Sequence, residues 1–404
     1  MSVLLKLFYL ILLCLLVSSC HDATNNHDKN INLDTFSDLR DEKYSLDIVD
    51  IREHISKIAS EDGVALPMDG FVNKYYKEQQ PFLWINRYGI YDRADTLLSL
   101  LKGIDYYGLS KDAFRVSKIE KDLYLARSLD IESSNDNLNR ILARLEYNLT
   151  KAFLRYSAGQ YFGFVNPDYL YNSLEEYQAD SLTTRFRQLC DLKVLRPDKK
   201  FYFRAISHIL NDSVAEFWHT TLPKGRLVGK LLKELDNPNL TKSERLRILC
   251  NIERCRWRLR GMPNTDLHNK YIVVNIPSFE LYAFDGEKSQ TMKVCCGEIN
   301  FKTPILTSWI KRMDVNPQWI VPKSISKGFL HNYSYMHKMG MFVLDREKGK
   351  LAPEQVSYDR IMSNDQYIVQ AGGKKNSLGR IIFRFDNNFS VFLHDTSAPW
   401  AFKR

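Results

Sequence analysis

The chain has 404 residues, of which 44% are hydrophobic and 26% charged, with 18 glycines, 13 prolines and no low-complexity tract. That composition excludes a fibrous or intrinsically disordered chain and leaves folded modules, two or three of them at this length. A formal net charge of +9 at pH 7 favours an acidic partner, and nucleic acid, anionic lipid and cell-wall polymer are the candidate classes.

Met1–Lys6 forms a short positive n-region, and the apolar run Leu7–Val17 follows it. The run falls well short of the roughly 20 residues that a spanning helix needs, so residues 1–19 read as a secretory signal peptide. Val17-Ser18-Ser19-Cys20 resembles a bacterial lipobox, in which small residues expose the bond before a cysteine that becomes diacylated. Cys20 is the expected lipidation site, with a plain cleavable signal as the alternative. Residues 20–43 are polar and read as a flexible tether. The expected location is the cell envelope, facing the periplasm from the inner or outer membrane, which sets nucleic acid aside as a partner.

Of the seven cysteines, Cys14 leaves with the signal, and Cys190, Cys250, Cys255, Cys295 and Cys296 remain besides Cys20. Their spacings suggest neither zinc nor a disulfide framework, and they read as mostly buried small apolar residues.

Residues 44–265 read as a helical scaffold domain. Ala94, Leu97, Leu98 and Leu101 complete an i, i+3, i+4, i+7 pattern that Gly103 stops, and Leu138, Leu142, Leu145, Leu149, Ala152, Phe153 and Tyr156 form a longer stripe. Thr241-Lys-Ser-Glu244 is a capping-box signature opening a helix through Trp257. That helix carries Arg245, Arg247, Arg254, Arg256, Arg258 and Arg260. Its charge reads as a solvated face with carboxylate partners; contact with an anionic polymer is the alternative.

Residues 270–404 change to period two. YIVVNI, FELYAF and TMKVCC are separated by Pro277-Ser278 and Asp285-Gly286 and read as meandering strands, placing Cys295 and Cys296 on a strand in a core position. RIIFRF and FSVFLH flank Asp386-Asn387-Asn388 as a hairpin, with His394 projecting at a strand end beside Asp395-Thr396. His331 and His337 flank a Tyr-rich loop without a carboxylate cluster, so no metal and no cofactor is expected. The fold class is α+β.

Asn376-Ser-Leu-Gly379-Arg380, the F-x-F strand, the Asn turn and Val391-Phe-Leu-His-Asp-Thr396 resemble the segment leading into the active site of large periplasmic L,D-transpeptidases. Lys302-Thr-Pro304, Asn316-Pro-Gln-Trp319 and Val321-Pro322 follow the same order, and Asn251-Ile-Glu-Arg-Cys-Arg-Trp257 resembles the helix before that domain. Pro81-Phe-Leu-Trp84, Leu97–Leu101, Gly108-Leu109, Leu145–Phe153 and Gly159–Pro167 resemble the family's helical scaffold module. The resemblance implies a β-sandwich-like catalytic domain over residues 270–404 and peptidoglycan stem peptides as partners.

Such enzymes attack the amide before a terminal D-alanine with a cysteine thiolate, then pass the thioester to an amine of a second stem, forming a 3-3 cross-link. In the family the cysteine and its histidine lie in an S-H-G-C-type motif after the H-D-T strand. Phe402 fits the landmark after that strand, and Arg404 is the last residue here. The pair is therefore expected beyond Arg404, and the domain is expected to be incomplete and inactive alone. His394, Asp395, Thr396, Gly379 and Arg380 are the expected site-lining residues. The alternatives are a non-enzymatic peptidoglycan-binding lipoprotein and a stem-trimming hydrolase.

Overall fold

A computed structural model describes residues 44–131, 136–180, 183–260 and 270–403. The signal, Cys20 and the tether lie outside the described residues. Among the described residues no helix is long and apolar enough to cross a membrane. The chain divides into two compact units, the first running to Val165 and resuming over Val194–Arg258, the second joining Asn166–Lys193 to Leu259–Arg404.

The first unit opens with α1 (Ile48–Glu61), whose N-cap Asp47 accepts the Val49 N–H at 2.7 Å. In α2 (Pro67–Lys77), proline fills the first turn, and Asp69 takes the Leu66 and Ala65 N–H groups at 3.0 and 3.1 Å. Short strands β1 (Ile85–Asn86) and β2 (Gly89–Ile90) lead to α3 (Arg93–Lys102), which Gly103 caps as its pattern predicts. Next comes α4 (Val116–Ser128). The long stripe becomes α5 (Leu138–Phe162), 25 residues capped by Asn137. It is more than amphipathic. Helices α1, α2 and α4 pack around it, and Trp84, Tyr147, Phe153 and Tyr156 are fully buried against or within it. Gly163 ends it at φ +92°, where a Cβ would sit 2.6 Å from the Trp257 ring.

The chain then contributes α6 (Pro167–Tyr171), a hairpin of β3 (Glu176–Asp180) and β4 (Thr183–Phe186), and β5 (Cys190–Asp191) to the second unit. These strands fall within a stretch whose sequence reads helical; they have no apolar period of their own.

Returning to the first unit, α7 (Lys199–Leu210) and α8 (Val214–Thr221) bury Phe201, Tyr202, Phe217 and Trp218 in the core around α5. A hairpin of α9 (Arg226–Leu235) and α10 (Lys242–Arg256) follows. The capping box forms as expected: Glu244 N–H donates to the Thr241 hydroxyl at 3.2 Å, and Thr241 N–H to the Glu244 carboxylate at 2.9 Å. The helix ends at Arg256, before Trp257. Thr241→Ala is expected to cost about 1 kcal/mol, read as a lower urea midpoint with unchanged slope; an unchanged midpoint would show that tertiary packing alone sets this end.

In the second unit β6 (Lys270–Asn275), β7 (Glu280–Asp285) and β8 (Lys288–Lys293) form the expected antiparallel meander. Asp285 pairs with Lys288, so Gly286 at φ +61° and Glu287 make a two-residue turn. The expectation for Cys295 and Cys296 fails. The strand ends at Lys293, and the chain enters a tight loop in which a Cβ on Gly297 would meet the Phe301 carbonyl oxygen at 1.9 Å. Cys295 is exposed and Cys296 half-buried.

Beyond β9 (Ile305–Leu306), parallel to β5, come β10 (Ile310–Val315) and β11 (Trp319–Ile320). Short helices α11 (Lys323–Ser326) and α12 (Tyr333–Lys338) precede β12 (Met341–Asp345) and β13 (Gly349–Leu351). The expected loop around His337 is thus helical, and His337 pairs with Glu354 at 2.7 Å. After α13 (Tyr358–Met362) and β14 (Gln366–Gln370), a sheet of order β11-β14-β12-β13 closes over Val321, Met336, Met341, Ile361 and Ile368. The last sheet joins β10 to β15 (Ile381–Phe385) and β16 (Leu393–His394).

Candidate functional site

The site builds outward from β15, the central strand of its sheet. Val315 to Ile310 pair with Ile381 to Phe385 on one side, and Ile382 and Phe383 pair with His394 and Leu393 on the other. Successive residues point to opposite faces, so fully buried Ile382 shares a face with its partner His394. The FSVFLH segment is ladder-paired only at Leu393–His394. Asn387 explains why: its side-chain oxygen accepts the Phe389 and Val391 N–H groups at 3.0 Å each, and its amide donates to the Phe385 and Val391 carbonyls. An Asx-organised loop replaces the start of the expected strand, with Ser390 at φ +55°.

The loop from Ala371 to Arg380 is held by two buried amides. Asn376 donates to the Pro317, Gln370 and Ala371 carbonyls at 3.1, 3.3 and 2.9 Å, and accepts the Leu378 N–H at 2.8 Å. Gln370 donates to the Met339 and Lys375 carbonyls and accepts the Ser377 N–H. Asn316, in a left-handed turn at φ +49°, donates its N–H to the Arg380 carbonyl at 2.7 Å. Every partner in this network is backbone, so its role is to fix the loop's path.

That path ends in a close approach. Gly379 has φ +65°, and a Cβ there would lie 2.5 Å from Asp395 Cβ and 2.6 Å from both Asp395 C and Thr396 N. Only glycine fits without moving the H-D-T backbone. Next to it the Arg380 N–H donates to Asp395 Oδ2 at 3.0 Å, the Arg380 guanidinium reaches the same oxygen at 3.3 Å, and the Asp395 N–H returns to the Ile381 carbonyl at 2.9 Å. These N–H donors, Arg380 first and then Thr396, hold the Asp395 carboxyl below its usual range, so it is ionised at neutral pH. His394 is exposed, with Nδ1 2.6 Å from the Asp395 carbonyl oxygen. A carbonyl can only accept, so Nδ1 carries the hydrogen and Nε2 of the neutral ring is an acceptor.

Gly379, Arg380, His394, Asp395 and Thr396, expected from the resemblance as site-lining residues, lie at one corner, with the Thr396 hydroxyl accepting the Ala398 N–H at 3.0 Å. Gln370 was missed, and Asn316 was read only as the start of the Asn316-Pro-Gln-Trp319 segment. A glutamine closing the otherwise apolar strand core of QYIVQ was the available signal for the first.

Burial works against thiolate formation at three of the cysteines. Cys190 is buried and its thiol is pushed up to about 11, first by burial; burial also raises Cys255 and Cys296. The expectation of mostly buried cysteines holds for Cys190 alone, since Cys250 and Cys295 are exposed. Among the described residues no group of three or more His, Cys, Asp or Glu side chains could hold a metal. In the first unit a charged cluster is internally satisfied. Lys151 reaches Asp62 at 2.6 Å, Arg155 reaches Asp69 at 2.7 Å, and Arg115 pairs with Asp62.

Residues 71–206 match the family model of a scaffold domain, and residues 269–404 match that of the L,D-transpeptidase catalytic domain. A candidate L,D-transpeptidase of Haemophilus influenzae is 25% identical over 215 residues, which are 52% of this chain and 43% of that protein. The chain thus spans less than half the length of this relative.

Proposed function

We propose that this chain, whose residues 71–206 and 269–404 match the scaffold-domain and L,D-transpeptidase catalytic-domain models, acts on the peptidoglycan of the cell envelope as an L,D-transpeptidase-type protein. The observation that carries this reading is the Gly379–Asp395 corner inside the matched catalytic domain. There a glycine-only contact and an ionised carboxylate hold His394 and Thr396 on a fixed backbone. We read these residues as the wall of a stem-peptide pocket, with His394 Nε2 available to accept an N–H from the peptide.

In the complete reaction a thiolate adds to the carbonyl before the terminal D-alanine and D-alanine leaves with a proton. The amine of a second stem then displaces the thiolate, leaving a 3-3 cross-link and the free thiol. None of Cys190, Cys255 and Cys296 has the lowered pKa that such a nucleophile needs. We therefore assign the thiol to none of them. The second reading is a lipoprotein, anchored through Cys20, that holds stem peptides without cutting them.

Two measurements test this. The intact mass and C-terminal peptide of the protein purified from its native membrane report whether a histidine–cysteine pair accompanies this sequence. Incubation of that protein with a carbapenem reports one covalent adduct if the thiol is present. Adduct formation at a cysteine of the pair supports the transpeptidase, no adduct with retained muropeptide binding supports the binding lipoprotein, and an adduct on Cys190, Cys255 or Cys296 overturns the assignment.

A further inference from the structure

The α9–α10 hairpin has an apolar inner side and a cationic outer one. Val228, Leu231, Leu232 and Leu235 of α9 turn inward, and Ile248, Leu249 and Ile252 of α10 join Leu231, Leu232 and Leu235 in one cluster with Tyr106. At 100° per residue, Arg226, Lys230 and Lys233 stand opposite that inner side on α9, at i, i+4 and i+7. On α10, Arg247 and Arg254 stand opposite Ile248 and Ile252 in the same way. All five are exposed.

The sequence reading gave this helix carboxylate partners. The structure does not supply them to these side chains. Among the described residues none of the five has a carboxylate oxygen within 4 Å, and Arg254 donates to the Asn251 side chain instead. The hairpin's own acids are engaged. Glu244 closes the capping box, and Asp236 accepts the Tyr106 hydroxyl at 2.5 Å. Glu253 takes the Phe164 and Val165 N–H groups and pairs with Arg256 at 3.0 Å, while Glu234 accepts from Asn237. These acids keep their charge, and Arg247 lowers the Glu244 carboxyl, but the eight lysines and arginines of residues 226–256 outnumber the four acids there and leave a net +4, a balance that favours an external anion.

We propose that the exposed cationic sides of this hairpin, led by Arg226, Lys230 and Lys233 of α9, dock the scaffold onto the wall polymer through the free carboxylates of its peptide stems. Charge complementarity commits the face to a polyanion. The apolar residues of the hairpin are mostly spent on its own core, leaving Leu227 and Leu246 as isolated exposed leucines, which suits a strand of charged polymer better than insertion into a bilayer. The contact rests on the envelope assignment made above, and it gives the scaffold a holding role separate from the His394 corner.

The test is co-sedimentation of the full chain, in mild detergent, with purified peptidoglycan sacculi. Wild type is compared with Arg226→Glu/Lys230→Glu/Lys233→Glu and with Arg247→Gln/Arg254→Gln, each checked for unchanged helicity and melting. The triple variant is expected to lose about tenfold in affinity and the glutamine pair less. Wild-type retention should fall steeply between low and high salt, and sacculi with amidated carboxyls should retain little protein. Equal retention of wild type and triple variant overturns the proposal. So does a loss confined to phosphatidylglycerol vesicles, which would assign the face to lipid. A chain that binds sacculi through the hairpin but fails to bind soluble muropeptides would sink the pocket reading while leaving this one standing.

Discussion

Replacing Glu146 by leucine is expected to destabilise the first compact unit by about 3–5 kcal/mol. Glu146 is fully buried in the middle of α5, and its carboxylate accepts the Leu83 and Trp84 N–H groups, the second at 2.8 Å, together with the Tyr76 hydroxyl at 2.8 Å. Trp84 Nε1 and the Tyr76 hydroxyl both reach Thr150 one turn further on, at 2.8 and 2.6 Å. One side chain thereby ties the Pro81–Trp84 turn, and the largest buried ring of the core, to the central helix. Leucine would leave two buried N–H groups without an acceptor. Urea unfolding measures the cost, and a loss under about 1 kcal/mol would mean that the turn finds other partners.

The same residue sets a pH dependence. Burial, outweighing the N–H donors, pushes the Glu146 carboxyl up to about 7 from the usual 4.5. The fold therefore binds this proton more tightly than the unfolded chain does. Its contribution is fully present below pH 4.5 and is lost as pH rises through 7, amounting to about 3 kcal/mol. Glu146→Gln has no such proton. The stability difference between wild type and Glu146→Gln should shift by about that amount between pH 5 and pH 8; parallel profiles would refute the assignment.

Gly379→Ala is the second large effect, at about 2–4 kcal/mol. The left-handed φ of +65° is costly for alanine, and the clash at 2.5–2.6 Å is with Asp395 Cβ and the backbone of Asp395 and Thr396, none of which is the far end of a flexible side chain. The H-D-T segment must move, so the amides of Asp395 and Thr396 should lose hydrogen-exchange protection and the His394 ring signals should shift. Gly286→Ala is the control. Its φ is +61°, but nothing lies within 4 Å of the added Cβ, so it should cost about 1 kcal/mol and leave the His394 signals in place. Equal effects of the two substitutions would show that backbone strain alone, and not the contact with Asp395, makes Gly379 necessary.

Much of the fold follows local rules that a sequence displays. The capping box at Thr241–Glu244, the stop at Gly103, the turn after β7 and the period-two strands β6 and β7 depend on residues within a few positions of each other, and all form as read except that the turn, read at Asp285-Gly286, lies one residue later at Gly286–Glu287. The α+β class follows from them. The five residues of the corner were read from a family resemblance in their order along the chain, while the close approach of Gly379 to Asp395 is visible only in three dimensions.

Other features depended on contacts between residues far apart in the chain. The period of α5 marks one apolar stripe, yet helices on several sides bury it all round, including Glu146, whose charge alone would have put it in water. Cys295 and Cys296 looked like strand core until the Gly297–Phe301 contact turned the chain away. Asn387 shortened the last hairpin by offering its side chain to the backbone in place of a ladder. Sequence by itself determined the local elements, since caps, turns and hydrophobic periods act over a few residues, and its motifs carried the family resemblance. Which side chains became buried, which charges found partners and which backbone segments touched was decided by tertiary structure alone, because desolvation and pairing energies exist only once distant parts of the chain have met.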